Sequence, residues 1–208
     1  MYTLYFSPFT CSLAVHAALE KTDAPYELKK IDIYKKQHFE PDFLALNPNG
    51  QVPVLQHDEG TLTQASGILL YLSECHPEAK LMPPADSADR SKALEGLFYL
   101  SNTLHPYFLR LFYPERISEE SPKEVKQIGI QKIKDTLSLF EEKLKHQTFI
   151  AGDTLYAPDY YLFAMSYWLK FHNIDLSEFS NLRKYFKRVS QQPEVASVLQ
   201  KEMTEMAA

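Results

Sequence analysis

Two cysteines in 208 residues are too few for a disulfide framework. Cys11 and Cys75 are therefore expected as free thiols in a reducing cytoplasm. Basic charge is scarce as well: 22 Lys and Arg against 27 Asp and Glu leave a net charge of −5. Such a chain has no basic footprint, which argues against nucleic acid as a partner. No apolar run approaches the length that crosses a bilayer, so no membrane partner is expected. The opening Met1-Tyr2-Thr3-Leu4-Tyr5-Phe6 lacks the basic region and apolar core of a signal peptide. His16, His38, His57, His76, His146 and His172 are too scattered for metal-ligand spacing. No metal and no tightly held cofactor is expected. Repeats and low-complexity tracts are also missing.

What the chain does have is apolar bulk. It is 45% hydrophobic and 13% aromatic, enough to build the core of one large domain or two modest ones. The first eighty residues read as a small α/β layer. Tyr2–Phe6 is β-rich and stops at Ser7-Pro8, and Cys11–Lys21 has helical spacing. Tyr26–Ile33 alternates like a half-buried strand, and Gln37–Leu46 is mixed, with room for a short helix. Val52–Gln56 is a third strand, and His57–Gly60 turns it back into Thr61–Thr63. Ser66–Cys75 is an apolar helix. The order β-α-β, then β-β-α, makes the first two strands parallel through a right-handed crossover. Pro77, Pro83 and Pro84 then interrupt regular structure, which places a linker at 81–87 between a domain at 1–80 and one at 88–208. Everything after the linker has helical period. Leu94 through Phe112 follow one long helix face, with a kink or break expected near Asn102 because of Pro106. Further helices run along Val125–Leu144, Tyr161–Leu169, Leu182–Val189 and Val195–Leu199. Pro158 and Asp159 suit the first turn of the third of these long helices, Asp159 reaching back to a backbone N–H.

The sharpest motif is Asn47-Pro48-Asn49-Gly50-Gln51-Val52-Pro53-Val54-Leu55. Proline cannot donate to a ladder, so Pro53 belongs at the start of a strand, at an edge or at a bulge. An X-Pro step here is a natural place for a cis bond. That geometry leaves the Val52 N–H and C=O free to pair with a short extended peptide. Two other segments share the same small unit: Ser7-Pro8-Phe9-Thr10-Cys11-Ser12, and Gln64-Ala65-Ser66-Gly67 at the head of an apolar run.

With Tyr5–His16 carrying a cysteine-bearing first loop, Asn47–Pro53 following, and Tyr161-Leu162-Phe163, Trp168 and Gln192-Pro193-Glu194-Val195 in the helical part, the chain resembles the cytosolic glutathione transferases. Within these it resembles the bacterial beta class. The resemblance spans essentially the whole chain. It implies a thioredoxin-like N-terminal domain, an all-helical C-terminal domain, and a homodimer. It implies conjugation of the glutathione thiolate to small hydrophobic electrophiles, with glutathione as co-substrate and no resident cofactor.

On that resemblance, Val52 and Pro53 pair with the cysteinyl unit of the tripeptide. Gln64, Ala65 and Ser66 take its γ-glutamyl end at a helix N-terminus. The usual acidic residue and small hydroxyl are replaced here by Gln64 and Ala65, so weaker glutathione binding is expected. Lys35 faces the glycyl carboxylate as a point charge. Cys11, Ser12 and His105 are the candidate catalytic residues. Cys11, at a helix start, is expected to have a lowered pKa, and Tyr5 to serve the core. Cys75 reads as a buried or linker-adjacent thiol. His105 points toward the sulfur in the family, with Asn102 one turn earlier. Phe9, Phe108, Phe112, Tyr113 and Trp168 are the candidate apolar pocket. Two further readings stay open: glutathione-dependent thiol–disulfide exchange through Cys11, and a non-catalytic transferase-like binding module.

Overall fold

The computed structural model describes residues 1–207. Its contacts divide into two units. One is Met1–Met82 together with the segment from Ser190 onward, and the other is Pro83–Val189. The final helix is thus grouped with the first unit, which a division read along the chain does not anticipate. Ala208, included in the expected 88–208 span, lies outside the described residues.

The first unit contains β1 (Tyr2–Phe6), α1 (Ser12–Thr22), β2 (Tyr26–Lys30), α2 (Pro41–Leu46), β3 (Val54–His57), β4 (Gly60–Thr63) and α3 (Ala65–Cys75). The four strands form one sheet in the order β2-β1-β3-β4. β1 and β2 are parallel, with Leu4 opposite Leu28. β3 runs antiparallel to both neighbours, Val54 lying opposite Tyr5 on one side and Thr63 on the other. Leu4, Phe6, Val54 and Leu55 are fully buried in the sheet, as are Leu13, Ala14, Ala17 and Ala18 of α1. Burial of this apolar surface is what holds the layers together.

β2 is shorter than its alternation suggests, ending at Lys30 instead of Ile33. The reason is local. The Asp32 carboxylate accepts from the backbone N–H of Tyr34 and of Lys35, both at 3.0 Å. The Asp32 N–H donates to Gln37 Oε1 at 2.8 Å. An Asp that bonds its own following backbone turns the chain out of the ladder.

The second unit is helical: α4 (Ala88–Tyr99), α5 (His105–Phe112), α6 (Pro122–Lys143), α7 (Ala157–Phe171) and α8 (Ser180–Ser190). Ser87 caps α4 by accepting from the Asp89 N–H. Where a kink or break is expected near Asn102, the structure has a π-helical turn, Leu100–Leu104, between α4 and α5. A wider turn accommodates Pro106, which lacks the N–H that an α-turn requires. Glu141 of α6 caps α8 from outside, accepting from the N–H groups of Asn181 and Leu182. At the head of α7, Asp159 is fully buried and accepts from three donors. These are the N–H of Tyr156 and of Ile150, each at 2.9 Å, and the Tyr185 hydroxyl at 2.9 Å.

The last helix, α9 (Pro193–Ala207), is fastened to α1 and β2 of the first unit. Glu20 takes hydrogen bonds from Ser197 at 2.6 Å and Lys201 at 2.7 Å. Burial alone would raise the Glu20 carboxyl, but donation from Lys201, Ser197 and Tyr26 outweighs it and holds the group at about 2. Lys21 pairs with Glu194 at 3.4 Å, and Lys30 donates to the Glu205 carbonyl. A thioredoxin-like sheet layer and an all-helical unit therefore make up the described fold.

Candidate functional site

In the first unit the chain brings two loops together beside the start of α1. The Val52–Pro53 peptide is cis. The thiol of Cys11 donates to the Val52 carbonyl, with Sγ 3.6 Å from the oxygen. No acceptor for the Val52 N–H is found among the described residues. Val52 is half-buried, whereas Pro53 and Val54 behind it are buried. The loop is braced from within. Asn47, itself buried, donates through Nδ2 to the Gln51 carbonyl at 2.7 Å and accepts from the Asn49 N–H at 3.1 Å. Gly50 sits at φ 59°, and a Cβ there would meet the His38 carbonyl oxygen at 2.9 Å. Only glycine fits such a position without displacement.

The first loop is braced as firmly. The Ser12 hydroxyl donates to the Ser7 carbonyl at 3.0 Å and shares a 2.8 Å bond with Thr10. The Ser7 N–H also points to Ser12 Oγ, at 3.3 Å. Ser12 is fully buried, and its hydroxyl is engaged in shaping the loop. Phe9, half-buried, occupies the left-handed region at φ 57°. Tyr5 is a core residue, its hydroxyl donating to Gln56 at 3.2 Å.

Cys11 departs from expectation. Burial pushes its thiol up to about 12, against the pull of the Cys11 and Ser12 backbone N–H groups. The helix start does favour a thiolate, but the loss of water around a 9%-exposed side chain is the larger effect. At neutral pH Cys11 is thus a thiol, a hydrogen-bond donor and a poor nucleophile. Cys75 is also differently placed: it is the last residue of α3 and exposed. Brief treatment of the native protein with iodoacetamide is accordingly expected to alkylate Cys75 first. Cys11 follows far more slowly in the native protein and rapidly only after denaturation, and peptide mass mapping reads the order.

Gln64 opens α3 at φ 68°, ψ 111°, a strained conformation for a residue with a side chain. It is exposed and makes no capping bond. The first intrahelical donor is the Ile68 N–H, to the Gln64 carbonyl at 3.0 Å. The N–H groups of Ala65, Ser66 and Gly67 have no acceptor among the described residues, so this helix N-terminus presents free donors. Lys35 is largely exposed and lies 3.5 Å from Asp32. Lys30, Asp32, Lys35, Gln37 and Met206 line an open notch of about 360 Å³.

In the second unit His105 and the expected aromatics do come together. His105 Nδ1 shares a 2.8 Å hydrogen bond with the Tyr161 hydroxyl. Burial lowers its pKa to about 4, so the imidazole is neutral at physiological pH. Trp168 stands 4.9 Å from its ring centroid, and Phe108 and Phe112 pack on Trp168 at 5.2 and 5.6 Å. Tyr113 lies at the edge, 6.3 Å from Phe112, with Arg116 over its own ring at 4.0 Å. Asn102 is exposed within the π-turn and accepts from the Ser101 hydroxyl.

One participant is missing from the sequence reading. Glu202 of α9 is fully buried and accepts from the Phe9 N–H at 2.7 Å and from His16 Nδ1 at 3.0 Å. A signal existed: Glu202 shares a helical face with the buried Val195 and Val198, and an acid on an apolar stripe is unusual.

Comparison with known proteins is consistent along the chain. Residues 1–74 match the glutathione S-transferase N-terminal domain, and residues 100–193 the C-terminal domain. Glutathione S-transferase GstA of Escherichia coli O157:H7 is 32% identical over 96% of this chain and 98% of its own. A sphingomonad glutathione S-transferase solved in complex with glutathione superposes with a TM-score of 0.85. It is 34% identical, over 96% of this chain and 98% of that one. The bacterial beta class glutathione S-transferase of Sphingomonas chungbukensis matches with the same identity, coverage and TM-score. The chain belongs to the glutathione S-transferase family and is a glutathione transferase enzyme.

Proposed function

We propose that glutathione lies extended against the Val52 main chain, and that its thiolate attacks a small apolar electrophile, whose leaving group departs with the bonding electrons. The observation that carries this is the pairing of Cys11 Sγ with the Val52 carbonyl at 3.6 Å, beside an N–H that has no acceptor. A bound cysteinyl unit fits there as an added strand. In this reading the Cys11 thiol turns its proton toward the glutathione sulfur and stabilises it as thiolate. The raised pKa of Cys11 supports a donor role over thiol–disulfide exchange, which needs the thiolate.

The free N–H groups of Ala65 and Ser66 take the γ-glutamyl carboxylate, and Gln64 accepts from the ammonium. Lys35 answers the glycyl carboxylate. Neutral His105, with Asn102 one turn before it, serves as a hydrogen-bonding partner; with a pKa of about 4 it is a weak base. Phe112 and Tyr113 supply apolar surface for the electrophile, backed by the buried rings of Phe108 and Trp168. Ser12 supports the loop. The protein works as a homodimer in the cytoplasm, where Cys11 and Cys75 stay free. Residues 1–80 carry the glutathione-binding role, and 88–208 the electrophile pocket.

Calorimetry with reduced glutathione and turnover of a halonitroarene test the reading together. Cys11→Ala is expected to keep glutathione binding while raising the pKa of the bound tripeptide's thiol by about one unit. Its kcat/KM at neutral pH falls by about tenfold in consequence. No heat with millimolar glutathione, or an unshifted thiol pKa in the variant, would overturn it.

A further inference from the structure

We propose that Glu202 is a positioning residue for the thiol site, holding the Cys11 loop from the far end of the chain. The inference rests on the reading above, that Cys11 meets the glutathione sulfur. Glu202 is fully buried, and each of its oxygens has one donor: the Phe9 N–H at 2.7 Å and His16 Nδ1 at 3.0 Å. Phe9 precedes Cys11 by two residues, and His16 follows it by five on α1. The carboxylate therefore holds the backbone at Phe9 before the cysteine and the imidazole of His16 after it.

Two features mark this grip as more than helix docking. Phe9 is held at φ 57°, a conformation an aromatic residue adopts only where its surroundings impose it. The bond from its N–H to Glu202 is one such constraint. His16 is fully buried between the rings of Phe6 and Tyr26, and its Nε2 has no partner. That buried Nε2 is a polar atom left unpaired, a cost in a dry interior. For stability alone, apolar residues at 16 and 202 would serve at least as well as a buried polar pair. The other fastenings of α9, through Glu20, Lys21 and Lys30, grip α1 and β2 instead. Glu202 alone among these contacts reaches the loop that presents Cys11.

Glu202→Gln keeps shape and burial but cannot accept from both donors at once, because its amide nitrogen must face one of them. The variant is expected to lose about tenfold in kcat with a halonitroarene, since small misplacement of a reacting group has a large effect on rate. The native rate of Cys11 alkylation by iodoacetamide rises by about fivefold or more as the loop opens. Glu20→Gln is the structural control. It weakens the same helix seam, lowers Tm, and leaves kcat and the Cys11 alkylation rate unchanged.

Equal kcat and Cys11 alkylation rates in wild type and Glu202→Gln would overturn the inference, as would equal losses of kcat in both variants. Where the Gln variant does not fold, Glu202→Asp, which keeps the charge but draws it back, carries the same comparison. Protection of wild-type Cys11 from iodoacetamide by bound glutathione is measured alongside. Lack of protection defeats the underlying site reading, whereas protection with an unchanged Glu202→Gln rate defeats only the role of Glu202.

Discussion

Asp159→Ala is expected to cost about 3–5 kcal/mol of folding stability, the range for a broken buried polar network. Asp159 has no exposed surface, and its carboxylate closes three hydrogen bonds in the second unit. Alanine leaves the Tyr156 and Ile150 N–H groups buried without acceptors. Each such group costs about 1–3 kcal/mol. Tyr185 keeps a longer alternative, 3.3 Å to the Asp159 carbonyl, so its hydroxyl is only partly orphaned. Relief of carboxylate desolvation offsets some of the loss.

The pH dependence has a definite sign. Burial raises Asp159 from 3.8 to about 6, with the three donors pulling back. Between pH 6 and 3.8 the folded protein binds a proton there that the unfolded chain does not. This group therefore favours folding progressively as pH falls through that window, and penalises it above. Urea titrations at pH 7 and pH 5 read both effects. The wild-type advantage over Asp159→Ala should be larger at pH 5. A midpoint within experimental error of wild type at both values would refute the assignment of this residue as the keystone of α7.

Gly50→Val is expected to remove most activity, lowering kcat/KM by about a hundredfold. The residue lies at φ 59°, and its Cβ would stand 2.9 Å from both the His38 carbonyl and the Phe39 ring. A carbonyl oxygen cannot rotate aside as a side chain can. The left-handed backbone adds roughly 1–2 kcal/mol for any L-residue. The Asn47–Pro53 loop must therefore shift, and Val52, two residues on, shifts with it. Gly50→Ala should show a smaller loss in the same direction, because alanine lacks the branched bulk. Retained secondary structure by circular dichroism, with weakened glutathione binding by calorimetry, would locate the effect in the loop. Wild-type kinetics in Gly50→Val would mean that the loop does not form the binding edge.

The parts legible in the sequence are those written by neighbours. Pro8 after Phe6 ends a strand, Gly60 turns a hairpin, and Asn47, Gly50 and Pro53 shape a loop through contacts within a few residues. The aromatic cluster around Trp168 follows from helical spacing along α5 and α7. What stayed hidden lay in side-chain bonds that compete with the pattern, in burial, or in contacts far along the chain. The Asp32–Gln37 bond that shortens β2 competes with a strand pattern that alternation alone favours. Ser12, a plausible donor by its position, is claimed by Ser7 and Thr10. The Cys11 pKa turns on burial, which no local motif encodes. Pro106 signals a kink or break near Asn102, but not that a π-turn would be its form. The grip of Glu202 on Phe9 joins residues 193 apart, and no local pattern pairs them.

That separation bears on how the protein is made. Ribosomes deliver the chain from its amino end at about 5–20 residues per second, and early segments generally settle first. Here the order is reversed for the segment that matters most. The loop bearing Cys11 emerges ahead of the rest of the sheet, yet the carboxylate that clamps Phe9 arrives 193 positions later. During those seconds of translation the helices from 83 to 189 can finish while the earlier sheet still lacks one wall. A nascent enzyme of this kind is competent only once α9 has been released.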